Sequence, residues 1–167
     1  MSNLKILLKN KLEGAKKVLV LGVGSTLRGD DIAGMLVAEQ VEQYRKKTKQ
    51  GRRLKVLFGE TAPENFTGDI RRFNPTHLVL VDCAEFKKKP GFVTLLDPKT
   101  IQGISFSTHS LPLKIMTDYL LIDLKCEIII IGIQPKDAHF GVPCSAPVKG
   151  AVQNISKAIK EILKEVL

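Results

Sequence analysis

The stretch Val18-Leu19-Val20-Leu21-Gly22-Val23-Gly24-Ser25-Thr26-Leu27-Arg28-Gly29-Asp30-Asp31-Ile32-Ala33-Gly34 runs from apolar residues through a glycine-rich turn to two adjacent acids. Lys17 to Leu21 is rich in Val and Leu without alternation, which predicts a strand covered on both faces. The turn leads into a helix from Asp31 to about Lys47. Its apolar face is Ile32, Met35, Leu36 and Val41 with Ala38 flanking, and Lys46, Lys47 and Lys49 suit its C-terminal end.

Working outward, the same alternation repeats. Leu54 to Gly59 reads as a second strand, and Thr61-Ala62-Pro63-Glu64-Asn65 as a turn into a short helix that Asn74-Pro75 stops near Phe73. His77 to Asp82 is a third strand, apolar until its closing acid. Lys89-Pro90-Gly91 marks a turn, and Phe92 to Leu96 a further strand at an edge. Ser107 to Pro112 looks like a helix start with Ser110 as a cap, and that helix runs to about Leu124. Glu127 to Gln134 is the last strand, followed by a loop from Pro135 to Pro147 and a helix from Val148 to Leu167. Before all of these, Leu4 to about Glu13 forms a short amphipathic helix. This order predicts an α/β fold: a three-layer sandwich with a mostly parallel twisted sheet of about five strands and helices on both faces. Residues 1–167 are expected to form a single domain, with 1–15 an extra N-terminal helix. The crevice of such a sheet lies outside the C-terminal ends of its strands. Gly22 to Asp31, Glu60 and Asp82 should therefore meet at one rim.

Composition narrows the class. The net charge is +9, with clusters at Arg45-Lys46-Lys47, Arg52-Arg53 and Lys87-Lys88-Lys89. Aromatic residues are few and none interleaves with these clusters to stack a base, so no nucleic-acid partner is expected. An acidic protein partner, or simply a lysine-rich surface, fits better. No apolar run approaches the roughly 18 residues of a bilayer span, so no membrane insertion is expected. The N-terminal stretch mixes lysines into its apolar positions, unlike a signal peptide, and points to a cytoplasmic protein. Cys83, Cys126 and Cys144 are widely spaced and odd in number, which speaks against a disulfide framework or a Cys-x-x-Cys zinc site.

The candidate chemistry lies in three residues. Gly22-x-Gly24 after a strand suggests a dinucleotide loop, but Leu27 stands where the third glycine belongs, and no Gly-Lys-Ser/Thr ending follows. Two acids at the helix start would also repel a phosphate. Asp30 is explained as a helix cap, which leaves Asp31 to bind a ligand. Asp82 ends an apolar strand, where a carboxylate must be hydrogen-bonded, paired or metal-seeking. His109 sits at a helix start beside hydroxyl residues, whereas His77 and His139 read as surface residues. Two hard oxygens and an imidazole suit a divalent metal such as nickel or zinc. Cys83 and Cys144 are possible nucleophiles, although a regular strand would point Cys83 away from Asp82.

These segments together resemble the maturation endopeptidases of [NiFe]-hydrogenases. Leu21-Gly22-Val23-Gly24-Ser25-Thr26-Leu27-Arg28-Gly29-Asp30-Asp31 resembles the family's Gly-Asn-x-Leu-x-x-Asp-Asp/Glu signature. Val81-Asp82-Cys83-Ala84 resembles its Asp-Ala segment, and Phe106-Ser107-Thr108-His109-Ser110 its Ser/Thr-Thr-His motif. Thr61-Ala62-Pro63-Glu64-Asn65 and Gly132-Ile133-Gln134-Pro135 are similar to the branch that processes formate-hydrogenlyase (hydrogenase 3) type large subunits. Ser25 replaces the usual Asn, Ile32 replaces a common Gly, and the N-terminal helix lies outside the pattern.

The resemblance implies an endopeptidase, grouped with the aspartic-type peptidases, that removes the C-terminal extension of a [NiFe]-hydrogenase large-subunit precursor after nickel insertion. The nickel would be carried by the substrate and serve as the recognition signal, with no resident organic cofactor. By motif position, Asp31, Asp82 and His109 are the implied metal contacts and catalytic residues. The alternative is a non-enzymatic nickel-binding maturation chaperone.

Overall fold

A computed structural model describes residues 3–99, 101, 105–106 and 110–167, with the side chains of 105 and 110–113 excepted. Five strands form one sheet: β1 (Val18–Val23), β2 (Leu54–Glu60), β3 (His77–Glu85), β4 (Val93–Leu96) and β6 (Glu127–Ile133), in the order β2-β1-β3-β6-β4. The first four in that order are parallel and β4 is antiparallel at the edge. A sixth, two-residue strand, β5 (Ser105–Phe106), pairs antiparallel with the end of β3. The helices are α1 (Asn3–Lys11), α2 (Ala33–Lys46), α3 (Thr67–Phe73), α4 (Ser110–Asp123) and α5 (Ala146–Val166).

Period-two alternation sorts each strand between two cores. Val79, Val81 and Cys83 of β3 pack with Val37 and Val41 of α2, Leu8 and Leu12 of the N-terminal segment, and Ile155 and Ile159 of α5. Leu78, Leu80 and Ala84 face the other way, onto Ile70 of α3 and Met116 and Leu120 of α4. Every residue of β1 is buried, as its unbroken apolar run requires. The predicted three-layer α/β sandwich is therefore the fold.

Three local departures have physical causes. β3 runs three residues past Asp82, because Cys83 continues the ladder with Ile133 while Ala84 and Glu85 pair with β5. The Asp pair sits in a 3-10 turn, Gly29–Ile32, rather than inside the helix proper. His77 is buried at the base of β3, its Nδ1 2.9 Å from Thr76 Oγ1, not at the surface as expected. Burial holds the His77 ring below its ordinary pKa, against the pull of Glu127.

Glycine sets how closely α2 approaches the sheet. A Cβ on Gly34 would collide with the carbonyl oxygens of both Val23 and Val81. The start of α2 thus rests directly on the C-terminal ends of β1 and β3.

Candidate active site

Asp31 is delivered by the turn between β1 and α2. Gly24 has φ +134°, and a Cβ there would strike the Asp31 carbonyl oxygen, so this fold of the turn needs glycine. The Asp31 backbone N–H donates to Arg28 O (2.8 Å), and Asp31 Oδ2 accepts from Ser25 N–H (2.9 Å). The serine at the usual Asn position thus donates through its backbone to Asp31, while its Oγ accepts the Leu27 N–H at 3.2 Å within the turn. Asp31 is fully buried.

Asp82 follows Leu78 and Leu80 on the α3/α4 side of β3 and is also fully buried. Its Oδ1 accepts the Cys83 N–H at 2.7 Å, and its Oδ2 has no hydrogen-bond partner among the described residues. Burial, and then the neighbouring charge of Asp31, push its pKa well above the ordinary carboxylate range, and the Cys83 hydrogen bond only partly opposes them. Asp82 is a carboxyl that would hold a proton or take a cation, with one oxygen left for that purpose. His109, the third predicted site residue, lies outside the described residues, as do Ser107 and Thr108. Among the described residues no group of three or more His, Cys, Asp or Glu side chains is arranged to hold a metal ion.

Asp30 does something the sequence did not announce. Its position predicts a helix cap, but neither the turn nor α2 has a side-chain cap. Its carboxylate instead accepts from Lys136 N–H (2.7 Å), Asp137 N–H (3.0 Å), Ser145 N–H (2.6 Å) and Ser145 Oγ (2.9 Å). Its own N–H donates to Asp137 O (2.8 Å), and its carbonyl accepts from Cys83 Sγ (2.9 Å). Burial alone would raise the Asp30 pKa, but hydrogen bonds from Ser145, Asp137 and Lys136 outweigh it and hold the carboxyl below its ordinary value. Asp30 is thus a charged staple between the β1–α2 turn and the β6–α5 loop. The acid itself was visible in the sequence. Its partners, more than a hundred residues away, carry no local signal.

The cysteines are poor nucleophiles. Cys83 points into the α2/α5 core, opposite Asp82 as the strand period predicts, and its thiol is pushed well up by burial and then by Asp82 and Asp31. Burial and the nearby Asp30 carboxylate raise Cys144 to about 11. Water or a bound cation, not a thiolate, suits this crevice.

A mostly parallel sheet with buried carboxylates towards the C-terminal ends of its strands, one of whose oxygens has no hydrogen-bond partner among the described residues, defines a class: an α/β protein with an acidic site suited to a cation or an activated water. Similarity to known proteins narrows it. Residues 35–165 match the HycI family, described as hydrogenase maturation protease. A Methanocaldococcus jannaschii protein, provisionally named a hydrogenase maturation protease, is 36% identical over 165 residues, 97% of each chain. The hydrogenase 3 maturation protease of Escherichia coli is 34% identical over 143 residues, covering 85% of this chain and 88% of that one. The crystal structure of the [NiFe] hydrogenase maturation protease HycI from Thermococcus kodakarensis superposes with a TM-score of 0.85 at 32% identity, over 95% of this chain and 99% of that one. The chain belongs to the hydrogenase maturation protease family and is an endopeptidase of hydrogenase maturation. No helix among the described residues is long and apolar enough to cross a membrane.

Proposed function

We propose that this endopeptidase removes the C-terminal extension of a [NiFe]-hydrogenase large-subunit precursor once nickel has been inserted, and reads that nickel as the signal to cut. Asp31, Asp82 and His109 contact the substrate's metal, and the reaction is of the aspartic type. The observation that carries this reading is the Asp82 Oδ2. It is a fully buried carboxylate oxygen without a hydrogen-bond partner among the described residues, beside a second carboxylate. Such an atom is costly unless it has a task. A divalent ion brought by the substrate would satisfy it and compensate the paired negative charges. With the metal polarising the scissile carbonyl, Asp31 or Asp82 takes the proton from the attacking water. Two carboxylates and an imidazole, without thiolate, bind the isolated ion weakly, as a substrate-borne metal requires.

Purified protein incubated with nickel-loaded and nickel-free precursor tests this. Cleavage of the loaded form alone is the expected result. Metal transfer without cleavage would make the chain a nickel chaperone instead. Replacing Asp31, Asp82 or His109 by Ala should each lower the cleavage rate by at least about 100-fold. A fully active His109→Ala enzyme would remove that residue from the site.

A further inference from the structure

Two large apolar side chains stand in solvent at the rim of the crevice. Leu27, on the β1–α2 turn, is 62% exposed, and Phe140, at the tip of the β6–α5 loop, is 72% exposed. They are on adjoining segments: the Gly141 N–H donates to Leu27 O at 2.9 Å. The two loops also interlock beneath them, since a Cβ on Gly29 would meet Asp137 O and Val142 Cγ2. The Asp30 staple fixes the base of both. Exposed apolar groups held on a rigid frame cost little to order when a partner covers them. Arg28 and Lys136 flank the pair, exposed and without an ion pair among the described residues. Each belongs to the same two segments as Leu27 and Phe140.

We propose that Leu27 and Phe140 form a substrate subsite that grips an apolar side chain of the precursor's peptide near the scissile bond, with Arg28 and Lys136 receiving acidic groups that flank it. This rests on the reading of the chain as the peptidase of a large-subunit precursor. The occupant follows from the chemistry of the rim. The floor carries the acids Asp31 and Asp82, so it takes the cation, whereas the lip presents Leu27 and Phe140 beside the exposed Arg28 and Lys136, with the one carboxylate on that loop segment, Asp137, engaged by the His139 N–H and ring, so it takes an apolar, acid-flanked segment of the same substrate. The stapled geometry means the subsite exists before the substrate arrives.

Kinetics on the nickel-loaded precursor test it, using the full chain and the variants Leu27→Ser, Phe140→Ser and the pair. Because both side chains are exposed, the variants should keep the wild-type melting temperature. The double variant should raise KM about tenfold and leave kcat within about twofold, the pattern of lost uniform binding. An unchanged KM overturns the proposal. So does a smaller oligomer on substitution with KM unchanged, which would make the patch a contact between copies of the chain. The Arg28→Gln/Lys136→Gln variant should flatten the rise of KM with salt, and an unaltered salt response removes the acidic flank from the proposal. If the wild-type chain leaves the loaded precursor uncut, the peptidase reading fails. The dissociation constant of the uncut precursor across the same variants then decides the subsite on its own.

Discussion

Asp30 and Asp31 are adjacent in sequence and differ in what surrounds them. The Asp30 carboxylate accepts from Lys136, Asp137 and Ser145 of the β6–α5 loop, whereas Asp31 Oδ2 accepts from the Ser25 N–H and Asp31 lies against Asp82. Replacing Asp30 by Asn puts an amide among N–H donors, and should cost roughly 2–4 kcal/mol in chemical denaturation at pH 7. Its folded pKa is depressed, so the stability it contributes is present above the unfolded value, near 4, and is lost as pH falls through the folded value. The Asn variant should therefore approach the wild type in acid. Asp82 has the opposite sign. Its folded pKa is raised, so the folded state holds the extra proton and stability declines as pH rises from about 4 toward the folded value. Asp82→Asn removes that decline. We expect it to lose cleavage while matching or exceeding wild-type stability by about 1–2 kcal/mol at pH 7, a separation that denaturation and activity assays on one preparation would reveal. Asp82, inside β3, was legible because an apolar strand makes any charge conspicuous. The staple at Asp30 was not, because hydrogen bonds across 106 to 115 positions leave no spacing rule to read.

At the scale of elements, α2 is placed by backbone contact and α1 by side chains. Gly34→Ala pushes a Cβ into the Val23 and Val81 carbonyl oxygens and should cost at least about 3 kcal/mol, with loss of cleavage as the turn carrying Asp31 is displaced. α1 carries ion pairs Lys5–Glu161 and Lys9–Glu165 to α5, but both glutamates are substantially exposed. Leu8 within it and Leu12 just beyond it are fully buried. Leu8→Ala should then cost about 2–5 kcal/mol, and Lys9→Ala no more than about 1 kcal/mol, in matched thermal melts. Strand and helix order followed from apolar periodicity, with most bounds matching or shifted by no more than three residues. β5 escaped notice, since two residues paired to the end of β3 show no period. The buried His77 escaped as well, because a polar residue at the base of a strand looks the same in sequence whether or not neighbouring segments cover it.

For the molecule as a whole, the parallel strands β1, β2, β3 and β6 bring their C-terminal ends to one rim, so residues scattered through the chain share a crevice. That convergence was readable from the alternation of strands and helices alone. What binds there must be weighed against the free metal. With two carboxylates and no thiolate in reach of ordinary pH, nickel salt at about 0.1 mM should shift the melting temperature by less than about 1 °C without precursor. A larger shift would show a resident metal. The staple has a further consequence, in time. Ser145 must exist before Asp30 can be satisfied, so a ribosome that has made β1, α2 and β3 has made Asp31 and Asp82 but has not yet fixed the turn that carries Asp31. Closing a loop of that length is also a late event in folding. A chain truncated before the β6–α5 loop therefore lacks every donor that holds the Asp30 carboxylate, and should neither fix the β1–α2 turn nor cleave the precursor.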